Sequence, residues 1–220
     1  MGKVLMKFPW LYDLVSAFRG LSRRDLLCRR MKVRNSGRYL KLSKHIKGKG
    51  NLLEIGSGSM IHGLKIHVVG NNNRLILGSN CSVGPHCSFW IEGNNCTIRI
   101  GAGTTFTHTV HLCAQEEGMS ILVGEDCMFA NRITVRTSDS HPIYDLKSGL
   151  RINPPRSVEI GRHVWIAPGA KIFKGASVGA NSIIGSDAVV TGVIPENSLA
   201  VGAPCRVVKQ EVSWSREGLY

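Results

Sequence analysis

The sequence predicts an all-β solenoid, a parallel β-helix of about seven triangular coils followed by a short tail. From residue 160 onward an aliphatic residue stands at every sixth position. These residues are Ile160, Ile166, Ile172, Val178, Ile184 and Val190. A period of six fits neither an amphipathic helix nor a single alternating strand. It fits a chain that turns a corner after each short strand, so that about eighteen residues close one three-sided coil.

Small residues support the same architecture, because a triangular prism has room at its axis for one large and one small side chain per face. Four positions after each repeat aliphatic the residue is usually small, as at Ala170, Ala176, Ser182 and Ala188. Three cysteines occupy the same position upstream, namely Cys81, Cys87 and Cys127. We interpret these cysteines as buried reduced thiols that act as small hydrophobic residues.

Longer coils are predicted upstream, where an aliphatic phrase that ends in glycine recurs. The last aliphatic residues of these stretches, each followed by glycine, are Ile55, Leu77, Ile100, Val123 and Ile160. The last interval, 37 residues, fits two coils plus one residue, or one coil plus a long loop. Residues 138–156 contain three prolines and break the period of six, so we interpret them as one long loop. Loops of this length on a rigid scaffold usually carry function.

The N-terminal fifty residues are strongly basic, with fourteen Lys or Arg against two acids, in a chain of formal net charge +13. We predict a mostly helical cap over the open end of the solenoid. A basic amphipathic segment on an anionic membrane surface is the alternative, and the two roles are compatible. The predicted divisions are residues 1–50 for this segment, 51–209 for the solenoid and 210–220 for a tail.

Composition also limits location and partners. No apolar run is long enough to span a bilayer, and the N-terminus lacks a signal-peptide pattern. We therefore expect a cytoplasmic protein, with peripheral contact at the inner face of the membrane if residues 1–50 bind lipid. The basic charge is not accompanied by a recognisable nucleic-acid-binding module, so nucleic acid is not an expected partner.

Two stretches carry a resemblance to a known family. The motif SDSHPIYD at residues 138–145 and the repeats that end in GAPCRVVK at residues 202–209 resemble the hexapeptide-repeat acyltransferases. Within them, the chain is similar to galactoside and maltose O-acetyltransferases and to bacterial polysaccharide O-acetyltransferases. The resemblance covers about residues 53–209. It implies a left-handed coil, acetyl-CoA as donor, a sugar acceptor, no metal, and a homotrimer with active sites between subunits.

The resemblance places His141 at the family's catalytic histidine. A neutral imidazole is the natural base near pH 7 for removing a hydroxyl proton. Asp139 and Asp145 flank it, and either carboxylate, or a backbone carbonyl, is a candidate to orient the ring.

The resemblance also implies donor and acceptor contacts. The six positions matched to acetyl-CoA are Trp165, Ala167, Ser186, Thr191, Arg206 and Lys209. Trp165 is expected to pack on the pantetheine arm or the acceptor, and the two cations to meet the nucleotide phosphates. The candidates for acceptor binding are His108, His111, Asn131 and Arg151. His111 stands near the position where the galactoside group has an asparagine, and the alternative for both histidines is an outward position without a ligand.

Three functions are weighed. The first is O-acetylation of a sugar in a bacterial surface polysaccharide or its precursor. The second is N-acetylation of a nucleotide-linked amino sugar by the same donor and base. The third is a zinc-dependent or non-catalytic β-helix, of which the zinc-dependent form would need three histidines that converge on the metal between subunits. His62 with His67, and His108 with His111, supply pairs but no third ligand.

Overall fold

A computed structural model describes residues 31–219, which form a β-solenoid, and the predicted fold class is confirmed. In chain order the first strands are β1 (Met31–Asn35), β2 (Arg38–Lys47), β3 (Asn51–Ile55), β4 (Met60–Val69), β5 (Arg74–Leu77), β6 (Ser82–Val83), β7 (Ser88–Glu92), β8 (Thr97–Ile100), β9 (Thr105–His108), β10 (His111–Gln115) and β11 (Ser120–Val123). The remaining strands are β12 (Met128–Asn131), β13 (Thr134–Arg136), β14 (Val158–Ile160), β15 (Trp165–Ile166), β16 (Lys171–Ile172), β17 (Ser177–Val178), β18 (Ile183–Ile184), β19 (Val189–Val190), β20 (Val193–Ile194), β21 (Ser198–Val201) and β22 (Arg206–Gln210).

The strands stack into three faces of a prism. Face A is the eight-stranded sheet β1-β3-β5-β8-β11-β14-β17-β20. The fourteen-stranded sheet supplies the other two: face B holds β6, β9, β12, β15, β18 and β21, and face C holds β7, β10, β13, β16 and β19. All pairings along these faces are parallel, and β22 alone adds antiparallel to β21.

Five successive coils carry three separate strands, from β5-β6-β7 to β17-β18-β19, so the prediction of about seven three-sided coils is wrong. In the first two layers the ten-residue strands β2 and β4 continue from face B into face C. Gly63 supplies the positive φ of 87° at this corner of β4. The last layer contributes β20 to face A and β21 to face B, and then reverses.

The described part of the N-terminal segment is strand, which corrects the prediction of a mostly helical cap. The solenoid already includes β1, which pairs in parallel with β3, so it extends N-terminal to the predicted boundary at residue 51. In β2, charged or polar residues alternate with Leu42 and Ile46, which pack against the core. That period of two is typical of a half-buried strand. Residues 1–30 lie outside the described residues, and with them the rest of this prediction. No helix, and hence no membrane-spanning helix, occurs among residues 31–219.

The core is a single column of inward side chains that runs the length of the prism. Aliphatic residues fill most of it, and Phe106 packs between Phe89 and Phe129, with ring centroids 5.6 and 4.6 Å apart. Cys81, Cys87 and Cys127 are buried free thiols in this column. Burial raises the pKa of each thiol, in Cys127 to about 11. These cysteines therefore behave as core residues.

Two irregular segments depart from the prism. Residues 137–157 leave the corner between faces C and A, after β13, and return at β14. We call this segment the long loop; its one bridge pairs Tyr144 with Arg151. Residues 211–219, which we call the tail, follow β22 and fold back along the corner between faces A and B, where Val212 bonds to Asn197. Both segments lie beside predicted site residues.

Candidate active site

The long loop is anchored to the prism through Glu116, which follows β10. Arg151 forms two hydrogen bonds with this carboxylate, at 2.6 and 2.8 Å. Ser138 donates a third at 2.5 Å. Hydrogen bonds from Arg151, and then from Ser138, lower the pKa of Glu116 despite partial burial. Arg151, a predicted acceptor contact, is thus engaged at the base of the loop.

Asp139 forms the second anchor. Its Oδ2 accepts a hydrogen bond from Lys174, in the next coil, and another at 2.8 Å from Asn153. The hydrogen bond from Lys174, followed by that from Asn153, lowers the pKa of Asp139. The carboxylate is therefore ionised and held by a cation of the neighbouring coil.

His141 stands exposed on this anchored loop. Among residues 31–219, no hydrogen bond reaches its ring, and only its backbone carbonyl is bound, by Asn153 at 2.9 Å. Asp145 instead closes a turn, accepting hydrogen bonds from the backbone and hydroxyl of Ser148 at 2.7 and 2.8 Å. The two predicted carboxylate partners are thus bound elsewhere, and the imidazole is accessible for proton transfer.

Five of the six predicted donor residues lie together on face B or at its edge. One outward row runs Trp165, Ile183, Leu199 and Lys209 across β15, β18, β21 and β22. Arg206 pairs with Val201 at the end of β21, and a Cβ added at Gly185 would lie 2.7 Å from the Val201 side chain. Ala167 and Ser186 follow the same edge, and the Ala167 backbone N–H bonds Ile184 at 2.8 Å. Since neighbouring strands lie about 4.8 Å apart, the row from Trp165 to Lys209 spans about 14 Å.

Thr191 is separated from this group. It follows β19 at the corner between faces C and A, next to the coil that holds Lys174. The equivalent position one coil earlier, eighteen residues before Thr191, follows β16. Thr191 therefore lies on the side of the long loop and not beside Ser186.

Two predicted acceptor residues adjoin the donor row. His108 and Asn131 are paired by register at the end of face B, in coils above Trp165. His111 begins face C, across the corner, and its Nδ1 lies 2.7 Å from the Ser88 hydroxyl. Burial, together with the charge of Arg136, lowers the pKa of His111 and favours its neutral form. The edge between faces B and C therefore collects polar side chains from successive coils.

A chain of polar side chains on face C was not predicted. Glu92 lies 3.3 Å from His67 and accepts from Gln115 at 2.9 Å. Arg136 then bonds Gln115 at 3.2 Å and also reaches Ser140 of the long loop. These residues are separated by about one coil, so the spacing of 22 to 23 residues in this region is the signal that would have aligned them.

The tail brings a second tryptophan to Trp165. The Trp214 ring lies 6.2 Å from that of Trp165 and stacks on His163 at 4.3 Å. His163 also contacts Asp126 at 2.7 Å, and Arg216 bonds the same carboxylate at 2.8 Å. Burial opposes ionisation of Asp126, but these two hydrogen bonds outweigh it and lower its pKa. The tail lies outside the repeat, so the period carried no signal for this contact.

The described residues, 31–219, contain no group of three His, Cys, Asp or Glu side chains placed to hold a metal ion. His108 and His111 lie on two different faces, at the end of β9 and the start of β10.

Comparisons with known proteins agree with this architecture. The family model "Bacterial transferase hexapeptide (six repeats)" matches residues 157–192. The chain is 32% identical over 150 residues to a polysialic acid O-acetyltransferase of Neisseria meningitidis, covering 59% of this chain and 68% of that protein. It is 32% identical over 136 residues to a galactoside O-acetyltransferase of Lactococcus lactis, covering 61% and 62% of the two chains.

A solved structure extends the likeness to most of the fold. The crystal structure of the polySia specific acetyltransferase NeuO superposes with a TM-score of 0.76 at 26% identity, covering 86% of this chain and 84% of that one. The solenoid with its long loop, together with relatives that are named acetyltransferases, defines an acyltransferase of the β-helix class. The chain belongs to the hexapeptide-repeat acyltransferase family.

Proposed function

We propose that this protein transfers an acetyl group from acetyl-CoA to a hydroxyl of a sugar in a bacterial surface polysaccharide or its precursor, with His141 as general base. One observation carries the proposal: an anchored loop presents an exposed imidazole whose ring has no hydrogen bond within residues 31–219. The names of the curated relatives, which are sugar and polysaccharide O-acetyltransferases, support hydroxyl over amine as the acceptor group.

Direct acetyl transfer requires a general base, a binding surface for acetyl-CoA and a binding surface for the acceptor. The imidazole takes the proton of the acceptor hydroxyl as the oxygen attacks the thioester carbon. The carbon–sulfur bond then breaks, and the proton leaves the imidazolium for the CoA thiolate. The products are an acetyl ester and free CoA, and no covalent enzyme intermediate is required.

Face B suits the donor. Arg206 and Lys209 are exposed cations on β22, and the outward row that begins at Trp165 ends at Lys209. Cations of this kind bind phosphate oxygens, and a tryptophan edge packs on an alkyl arm. We therefore assign the nucleotide phosphates to the β22 end of face B and the thioester to the Trp165 end.

An acidic acceptor fits the charge of the chain. The formal net charge is +13, and a basic protein attracts a polyanion along its surface. Two relatives are named for polysialic acid, a polymer of acidic sugars. We propose an acidic polysaccharide as the first acceptor to assay.

The test is His141→Ala, compared with His45→Gln, which removes another exposed imidazole on β2. We expect His141→Ala to lower kcat by about 10²–10⁴-fold, because general-base catalysis contributes about that much. The affinity for acetyl-CoA should stay unchanged, since the base acts in the transition state. Release of free thiol from acetyl-CoA, with acidic and neutral glycans as acceptors, measures both. A His141→Ala variant with more than a tenth of the original kcat would contradict the assignment.

A further inference from the structure

Asn153 is the most completely bonded side chain of the long loop, and it is buried, with 7% of its surface exposed. Its Oδ1 accepts from the Ile143 backbone N–H at 2.7 Å and from Arg151 Nε at 3.2 Å. Its Nδ2 donates to the His141 carbonyl at 2.9 Å and to Asp139 Oδ2 at 2.8 Å. An asparagine amide has two donor hydrogens and one oxygen that accepts twice, so its full capacity is used.

The orientation of this amide is determined by its surroundings. The Nδ2 side faces a carbonyl and an ionised carboxylate, which only accept, and the Oδ1 side faces two N–H groups, which only donate. Exchanging the two amide atoms would make all four contacts unfavourable. The asparagine is therefore required as an amide and not merely as a small polar residue.

These contacts hold the backbone on both sides of the imidazole-bearing residue. The His141 carbonyl and the Ile143 N–H flank Pro142, and one side chain binds both. Proline fixes its own φ and restricts the residue before it to extended conformations. With its ends bound and its middle stiff, the segment 141–143 has little freedom to move the base.

We infer that Asn153 is a positioning residue that holds His141 at the place where it accepts the acceptor proton. The inference rests on the proposed function, in which His141 is the base. Asp139 then acts as a support for Asn153 rather than as the carboxylate that orients the ring. Lys174 completes this support from the next coil of the prism.

The expected loss of kcat follows from the displacement of the base. A displacement of about 1 Å from the productive position costs about 10²-fold in rate. The contacts of Asn153 hold the base and none of the residues assigned to the donor, so the affinity for acetyl-CoA should not respond. Loss of Asn153 should therefore lower kcat by about 10- to 100-fold and leave the KM for acetyl-CoA within about twofold.

The variant for the test is Asn153→Asp, which keeps the shape and the accepting oxygen but turns the donor side into an oxygen. That oxygen would face the Asp139 carboxylate and the His141 carbonyl. The matched control is Asn73→Asp, because Asn73 is also buried and its Nδ2 donates to the Gly93 carbonyl at 2.8 Å in a distant coil. The control should lower thermal stability without a change in kcat.

A double-mutant cycle with His141→Ala separates positioning from a general structural effect. If Asn153 acts through the imidazole, Asn153→Asp costs nothing further once His141 is alanine. The inference is overturned if the loss is equal in both backgrounds, or if kcat is unchanged by Asn153→Asp. The proposed function fails separately, through an unchanged kcat in His141→Ala alone.

Should Asn153→Asp fail to fold, Lys174→Met removes the cation that supports Asp139 while leaving Asn153 in place. A smaller loss of kcat, again with KM for acetyl-CoA unchanged and with no further loss in the His141→Ala background, supports the inference. An unchanged kcat in folded Lys174→Met overturns it.

Discussion

The residues of the long loop differ in the number of hydrogen bonds that hold them, and this difference is what a base carried on a loop requires. Glu116, Asp139, Arg151 and Asn153 bind one another or the prism, whereas the ring of His141 meets none of residues 31–219 through a hydrogen bond. Isolated surface ion pairs contribute little to stability. Several contacts that converge on one loop instead remove its freedom, which is what a base on a loop requires.

The two cations of β22, Arg206 and Lys209, give a prediction for acetyl-CoA binding. Arg206→Ala and Lys209→Ala should each raise the KM for acetyl-CoA with a smaller change in kcat, because phosphate binding is equal in ground and transition states. Lys171→Ala, which removes an exposed cation on face C, is the control. An acetyl-CoA analogue that lacks the 3′-phosphate should respond less to the substitution that removes its partner. Equal losses for both donors in both variants would refute the phosphate contacts.

From the sequence we predicted His141 as the base and five donor-binding candidates that the structure brings together on face B, but neither Asn153 nor the placement of Arg151. His141 and the donor candidates were predicted through the motifs that carry the family resemblance. The contacts of Asn153 join residues 139, 141, 143 and 151 in a segment with no period, so only the folded loop reveals them. Arg151 was predicted as a polar contact for a sugar, but its partner in the structure is Glu116, which lies 35 residues away in the sequence.

The positions of the short strands in the C-terminal coils can be predicted from the six-residue repeat, whereas those of the ten-residue strands β2 and β4 cannot. In the C-terminal coils each large inward residue falls at every sixth position, so strand positions follow directly from the sequence. In β2 the alternation of Leu42 and Ile46 with Ser43, His45 and Lys47 is a strand signal that the basic composition concealed. The chain combines a period of six in the short coils with a period of two in β2, so a search for one period alone misses the other strands.

The Phe106 ring, which packs edge-on against Phe89 and stacks on Phe129 in the core, gives a stability prediction. Phe106→Ala should lower the free energy of unfolding by about 3–5 kcal/mol, because it leaves a cavity that rigid neighbouring coils cannot fill. Leu146→Ala is the control, since Leu146 is 99% exposed and should change stability by less than about 0.5 kcal/mol. Urea unfolding followed by circular dichroism measures both. Similar midpoints for the two variants would show that the stack is not rigid.

Anchoring of the long loop should depend on acid. The pKa values of Glu116 and Asp139 are depressed in the folded protein, so their contribution is complete above the ordinary carboxyl pKa of about 4 and is lost as pH falls through the depressed values. Hydrogen exchange of residues 137–157, corrected for its intrinsic pH dependence, should stay slow from pH 8 to 5 and rise below about pH 4. Glu116→Gln should weaken the protection already at pH 7. Loss of protection between pH 7 and 6 in the unaltered chain would contradict this account.

For the whole molecule, the two halves of the proposed site lie on different sides of one prism. The long loop leaves the corner between faces C and A, whereas Trp165 and the β22 cations lie on face B. We propose a homotrimer in which the loop of one subunit approaches face B of the next, as closed cyclic symmetry permits. Each site would then take its base and its donor surface from different chains.

Mixing two inactive variants tests this arrangement. His141→Ala and the double variant Arg206→Ala/Lys209→Ala should each lose activity at low donor concentration. Subunit exchange between them should restore it, because some sites then combine an intact loop with an intact face B. Light scattering should give about three times the chain mass of 24.0 kDa. A fully active monomer, or no recovery after proven exchange, would defeat the proposal.

A solenoid is held mainly by contacts between adjacent coils, so its ends are expected to open one coil at a time. The tail changes this, because Arg216 bonds Thr105, Asp126 and Cys127, while Trp214 bonds His163. These contacts join residues 51 to 111 positions apart and cross several coils at once. We therefore expect the last coils to fray only together with the middle ones, so that the C-terminal half opens as one cooperative unit rather than as a row of separable layers.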